Sequence, residues 1–202
     1  MPSSPTHEKK PRLQPLISRI SVEDVEAAAT VQVNAMGSHT VQLRIQPLNK
    51  RPSVATQVKI KAQAFRDMLS AGNNRIIKAV VGQQVVGIAT WNLVSNKKAV
   101  VEDGKTPLPP RKRTKEDEEA LEGVDVEIRR KIGMTSAGLR NETMGDSKYW
   151  YLGLMVVDPA YQYQGIGQAP FAMGLGPGSC RVVGRVSGIK RGRPTVVRKK
   201  WI

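Results

Sequence analysis

The residues of this chain best suited to chemistry lie between positions 149 and 167. An apolar run, Tyr149-Trp150-Tyr151-Leu152-Gly153-Leu154-Met155-Val156-Val157, leads into Asp158-Pro159. Gln162-Tyr163-Gln164-Gly165-Ile166-Gly167 follows close behind. Apolar residues on both faces of the run mark a central, buried strand. Pro159 ends it, because proline cannot donate to the ladder. A strand that runs into a two-glycine loop, with a helix expected behind it, aims backbone N–H groups at one point near the positive end of a helix dipole. Such a loop suits a pyrophosphate. Glycine is needed at 165 and 167 because a side chain there would block close approach or the required backbone angles. A dinucleotide fingerprint would need a third glycine three residues on, and Pro170 stands there instead.

The elements that must position this loop are legible upstream. Residues 1–15 are rich in Pro, Ser and Lys and read as a disordered leader. Leu16 to Ile20 reads as a short strand. Ser21 is expected to cap a helix with Asp24 answering it, and Val22, Val25, Ala29, Val33 and Met36 form one apolar face at helical spacing. The stretch up to Pro52 has no clear period. A second helix is expected over residues 53–71, with Val54, Val58, Phe65 and Leu69 on one side and Gly72 as its stop. Residues 75–81 and 85–94 then read as a hairpin turned at Gly82-Gln83. Residues 95–146 are polar and charged and read as a solvated insertion, with a helix expected within 115–130. Its triplet Arg111-Lys112-Arg113 also has the composition of a nuclear-import address.

A buried strand, then Val157-Asp158-Pro159, then Gln162-Tyr163-Gln164-Gly165-Ile166-Gly167 is similar to the acetyl-CoA-binding motif of the GNAT superfamily of N-acetyltransferases. The upstream order also resembles that family over residues 16–168. The resemblance implies an α/β fold, a mixed sheet flanked by helices. It implies that acetyl-CoA is the cosubstrate, and that Gln162, Tyr163, Gln164, Gly165, Ile166 and Gly167 cradle its pyrophosphate. Met155, Val156 and Val157 would offer backbone groups to the pantetheine arm. The implied reaction is attack of an amine, on a small molecule or a peptide, upon the acetyl thioester. It needs a base for the ammonium proton and an acid for the thiolate. Many relatives use a tyrosine downstream of the cradle as the acid. This chain has none after Tyr163, and residues 147–157 hold no carboxylate, so no catalytic residue is assigned. Tyr149 and Tyr151 read equally as cleft lining or as packed strand aromatics.

After Gln168 the family pattern stops. Pro170, Gly174, Gly176, Pro177 and Gly178 crowd the place where a helix should lie, and the C-terminal part of the fold is expected to be missing or replaced. Residues 169–202 also hold eight basic residues and no acidic one after Asp158, more than half of the chain's net charge of +15. Two readings of this tail are open. Arg191-Gly192-Arg193-Pro194 resembles an AT-hook, which lays arginines into the minor groove of A·T-rich DNA. The alternative is a tail read in a shifted frame. One nucleotide of shift turns the codons of Met173-Gly174 into one for tryptophan, and those of Lys199–Ile202 into Lys or Arg, Asn or Ser, then Gly. The outcome is similar to the Tyr-x-Lys-x-Gly-Phe ending of a GNAT core, and this second reading is favoured. A CoA-binding remnant without activity, or a basic-tailed DNA-associated protein, is the alternative function. A nucleic-acid partner is not expected of the main domain. No apolar run is long enough for a bilayer, and one cysteine, Cys180, excludes an internal disulfide or a cysteine-based zinc site. A cytoplasmic protein without a resident metal is expected.

Overall fold

Four antiparallel strands and a short parallel fifth form one sheet in the order of the chain. The computed structural model describes residues 12–94 and 123–168, the helical positions Lys115, Glu118 and Leu121, and the backbone of 182–184. The strands are β1 (Leu16–Arg19), β2 (Asn74–Val81), β3 (Gln84–Val94), β4 (Tyr149–Val157) and β5 (Val182–Gly184). β2 and β3 form the expected hairpin, turned at Gly82 with φ +63°. β4 is inserted between β3 and β5, so it is central. The tail composition gave no sign of β5, yet Val182–Gly184 pairs in parallel with Trp150–Leu152. The AT-hook and shifted-frame readings of the tail fall on positions outside the described residues, as does the basic triplet at 111–113.

Helices α1 (Val25–Met36), α2 (Thr40–Ile45) and α3 (Val54–Ala71) lie between β1 and β2 in the chain. α1 and α3 cover one face of the sheet. Val25, Ala28, Ala29, Val31, Ala62 and Phe65 close over Ile76, Ile88 and Val156 there. The apolar residues of the helices face this layer because their three- and four-residue spacing keeps them on one side. Two end positions depart from the pattern: Val22 and Val54 are exposed, since each precedes or opens its helix. The opposite sheet face buries Ile77, Ala89, Trp91, Leu93, Trp150 and Leu152 in a second cluster.

The helix ends show how local chemistry sets boundaries. Ser53 caps α3, its hydroxyl accepting from the Thr56 amide at 3.1 Å, and Gly72 stops that helix in the left-handed conformation, φ +69°. At α1 Asp24 answers Ser21 as expected, but the expected cap by the Ser21 hydroxyl is corrected. The Ser21 amide and hydroxyl both donate to the Asp24 carboxylate, at 2.7 and 3.0 Å, and Asp24 itself takes the N-cap position. Asp24 also pairs with Lys78 of β2 at 2.6 Å, which draws its carboxylate toward the sheet rather than toward the first helical turn. α2, in a stretch without period, is short and has no buried residue.

The end of the insertion is a helix, α4 (Val126–Met144), which starts near the C-terminal limit of the helix expected within 115–130. Asp125 caps it by accepting from the Ile128 amide at 2.8 Å, and the Asp125 amide donates to the Ile45 carbonyl at 2.7 Å, tying the insertion to α2. Its sequence holds Gly133 and Gly138 mid-helix and only Met144 is buried, so neither propensity nor period marked it. Among the described residues, no helix is long and apolar enough to cross a membrane.

Candidate functional site

The site is built from the C-terminal half of β4 and the loop that follows. Along β4 the register against β3 slips between Thr90 and Trp91: Leu154 faces Thr90, Leu152 faces Trp91, and Gly153 is the extra residue. A bulge re-aims a strand and ends regular pairing. Glycine suits this position because a Cβ on Gly153 would run into the side-chain amide of Asn92. On its outer edge β4 meets β5 only over Trp150–Leu152. Past the bulge, among the described residues, no strand lies against Leu154–Val157 on that side. The backbone of Met155, Val156 and Val157 is therefore held by β3 on one edge, opposite Ala89, Ile88 and Gly87, and its other edge is open among the described residues. Met155 and Val157 point to the sheet face opposite the helices, and Val156 packs beneath α1 and α3.

Asp158 continues the pairing for one step, its amide donating to the Val86 carbonyl at 2.9 Å. Its carboxylate accepts from the Ala160 amide at 3.0 Å and from the Asn34 side chain of α1, also at 3.0 Å. Pro159–Tyr161 forms a single 3-10 turn, with the Tyr161 amide donating to the Asp158 carbonyl. The Gln162 side chain turns back to donate to the Val157 carbonyl at 3.0 Å, and that of Gln164 donates to the Ala160 carbonyl at 3.0 Å. The loop thus folds upon itself before the glycines. Tyr163 has φ +64° and Gly165 φ +82°, so two of its backbone positions lie in the left-handed region. At Tyr163 this carries a steric cost; the side chain is 88% exposed and packs into no core. Ile166 is buried against Ala79 and Val86 and anchors the loop to the sheet. Ile166–Gln168 forms a second 3-10 turn. The family's helix would begin at the next residue, outside the described ones.

Val157, Tyr161, Gln162, Tyr163, Gly165 and Gly167 surround a cavity of about 260 Å³. The turn bonds of the first half of the loop use the amides of Ala160, Tyr161 and Gln162. Among the described residues, no bond uses those of Gln164 or Gly165. A concave loop with unspent amides and a positive-φ glycine has the form of the nests that bind anions. The β4 edge that is open among the described residues lies beside it. The six loop residues singled out in the sequence all lie in this loop. Gln162 spends both its backbone and its side-chain amide within the protein and Gln164 its side-chain amide, so of the two only Gln164 keeps an unused backbone amide among the described residues.

A second, more open cleft of about 660 Å³ adjoins Asp158 on the α1 side, bordered by Glu23, Asp24, Asn34, Gln83, Gln84 and others. Burial alone would raise the Asp24 carboxyl, but hydrogen bonds from Lys78 and Ser21 outweigh it and hold it below the ordinary value. The two tyrosines of β4 separate. Tyr149 is buried, with no hydrogen-bond partner for its hydroxyl among the described residues, whereas Tyr151 is half-buried beneath the Arg140 guanidinium, 4.5 Å from the ring centre. Neither lies in the loop.

The sequence reading missed the end of the leader. Residues 12–15 are not a free segment: the Leu13 amide donates to the Gln164 carbonyl at 3.0 Å, and Leu13 packs on the Ala79–Val86–Ile166 cluster. Leu13 as an apolar residue between polar ones was the available signal.

No family model matches the sequence, and no curated protein does. Solved structures do match in fold. A point mutant of the BH1408 protein from Bacillus halodurans is 14% identical, with a TM-score of 0.51, over 92% of this chain and 99% of that one. An aminoglycoside 6'-N-acetyltransferase from Acinetobacter baumannii is 12% identical, with a TM-score of 0.45, over 94% and 99%. A GNAT family acetyltransferase from Staphylococcus aureus is 8% identical, with a TM-score of 0.45, over 94% and 100%. Four antiparallel strands flanked by helices, with the Gln162–Gly167 loop leaving the fourth strand, give this chain a GNAT-like fold.

Proposed function

We propose that the chain is an N-acetyltransferase that binds acetyl-CoA along the open edge of β4 and in the Gln162–Gly167 loop. It would pass the acetyl group to an amine of a small molecule or a peptide. The observation that carries this reading is the continuity of the two features: among the described residues β4 has no outer neighbour after the Gly153 bulge, and it leads directly into the loop around Gly165. The Met155–Val157 backbone is the contact for the pantetheine arm, and the amides of Gln164–Gly167 are the contacts for the diphosphate. In the transfer the amine nitrogen bonds to the acyl carbon as the carbon–sulfur bond breaks. The ammonium proton goes to a base, and the second proton that the nitrogen sheds on becoming an amide ends on the thiolate, which leaves as a thiol. β4 carries no carboxylate, so the base is on another element. The test is chromatographic detection of CoA released from acetyl-CoA in the presence of a panel of amines and lysine peptides. Amine-dependent release that Gly165→Val abolishes is expected; release independent of added amine, or unaffected by that change, would refute the reading.

A second reading is favoured by one observation. No tyrosine follows Tyr163 in the chain, so the usual acid of such enzymes has no counterpart. In this reading the protein binds CoA without turning it over, and saturable CoA binding with no release by any amine would select it.

A further inference from the structure

Next to the nest, a cationic side chain from a remote part of the sequence rests on one of the loop glycines. A methyl group placed on Gly165 would stand 2.9 Å from Arg12 Nε and 3.1 Å from Arg12 Cγ. The contact is held from both sides. Leu13, the next residue, donates its amide to the Gln164 carbonyl, and its side chain packs on the cluster that buries Ile166 of the same loop. Arg12 is exposed, and its side chain lies over Gly165, which borders the cavity. The nest itself offers only partial charges from amides, with no cationic side chain among the residues that surround its cavity. A diphosphate carries full negative charge, and a planar guanidinium matches its oxygens with paired donors.

We propose that Arg12 completes the cradle: its guanidinium binds the diphosphate of CoA over Gly165. The inference rests on the acetyl-CoA reading and adds to it a residue from outside the loop. It also gives Gly165 a second reason to be glycine, since the arginine stem occupies the space a side chain would take.

The test is calorimetric titration of the full chain and its Arg12→Ala, Arg12→Gln and Arg12→Lys variants with CoA and with 3'-dephospho-CoA, which keeps the diphosphate. Loss of a charge-assisted contact should weaken binding about tenfold for Arg12→Ala and Arg12→Gln. The factor should be the same for both ligands, and Arg12→Lys should retain part of the affinity. Wild-type affinity in Arg12→Ala would overturn the inference. So would a loss seen with CoA and absent with 3'-dephospho-CoA, which would move the contact to the 3'-phosphate. Parental affinity in Arg12→Gln, which keeps most of the aliphatic stem and drops the charge, would show that the stem packing on Gly165, not the charge, is what matters, and would overturn it too. A wild-type chain that binds neither ligand overturns the acetyl-CoA reading itself, whereas binding that is insensitive to Arg12 overturns this inference alone.

Discussion

Alanine at the two loop glycines should have different effects, and the difference follows from geometry. Gly165 has φ +82°, in the left-handed region, and its added methyl would meet the Arg12 side chain. A non-glycine residue in that conformation costs about 1–2 kcal/mol. The Arg12 stem is flexible and can give way, so the backbone cost dominates. Gly165→Ala should therefore lower stability by about 1–2 kcal/mol, a fall in melting temperature of about 2–8 °C for a chain of this size. If the loop relaxes instead, the same energy is needed to restore the binding conformation, and acetyl-CoA affinity falls about 5- to 30-fold. At Gly167 the φ is not positive, and the nearest atom to an added methyl is Val157 Cγ2 at 3.9 Å, an ordinary contact. Gly167→Ala should leave the melting temperature unchanged and weaken acetyl-CoA only by standing between the ligand and the loop amides. Paired thermal denaturation and calorimetry read the two effects separately. A Gly165→Ala protein that matches the parent in both assays would refute the strain argument. A Gly167→Ala protein with parental affinity would refute the close approach of a ligand at that amide.

Other outcomes follow from the core and the charges. Phe65 is fully buried between α3 and the sheet, so Phe65→Ala should cost about 3–5 kcal/mol in urea unfolding. Ser53→Ala removes the α3 cap and should cost about 1 kcal/mol by the same assay. The Asp24 carboxyl is depressed in the folded chain, so its stabilisation is present at neutral pH and lost as pH falls from the ordinary carboxylate range through the lowered folded value. Asp24→Asn should flatten that acid limb in melts taken across pH. Burial, and then the charge of Arg129, lowers the Lys61 ammonium below the ordinary lysine value. The unfolded chain then holds this proton more tightly, and stability should rise with pH between the lowered folded value and the ordinary one. Lys61→Met should raise stability at pH 7 and remove that rise.

What the sequence made legible is what repeats or punctuates. The apolar run of β4, the hairpin around Gly82 and the α3 boundaries at Ser53 and Gly72 all follow from period and capping, and each stands within a residue or so of its expected place. The loop was legible because an apolar strand, Pro159 and the two glycines follow in one order, which says more than a Gly-x-Gly pair alone. The features left out depend on contacts between remote residues. Asn34 meets Asp158 across 124 positions, and Arg12 meets Gly165 across a similar distance, and no local pattern announces either. The Gly153 bulge is one residue in a run that reads as regular strand. α4 carries two internal glycines and little apolar surface, and its tie to α2 through Asp125 and Ile45 is tertiary. β5 has three residues, too few for any period, and its partner strand supplies its register.

The central claim is that the open β4 edge and the Gly165 nest form one acetyl-CoA site. Calorimetric titration of the full 202-residue chain with acetyl-CoA tests it most directly. The account predicts saturable binding of one cofactor per chain, abolished when Gly165 and Gly167 are both changed to valine while the fold persists by circular dichroism. Absence of binding by the parent chain, or binding that survives the double change, would contradict it.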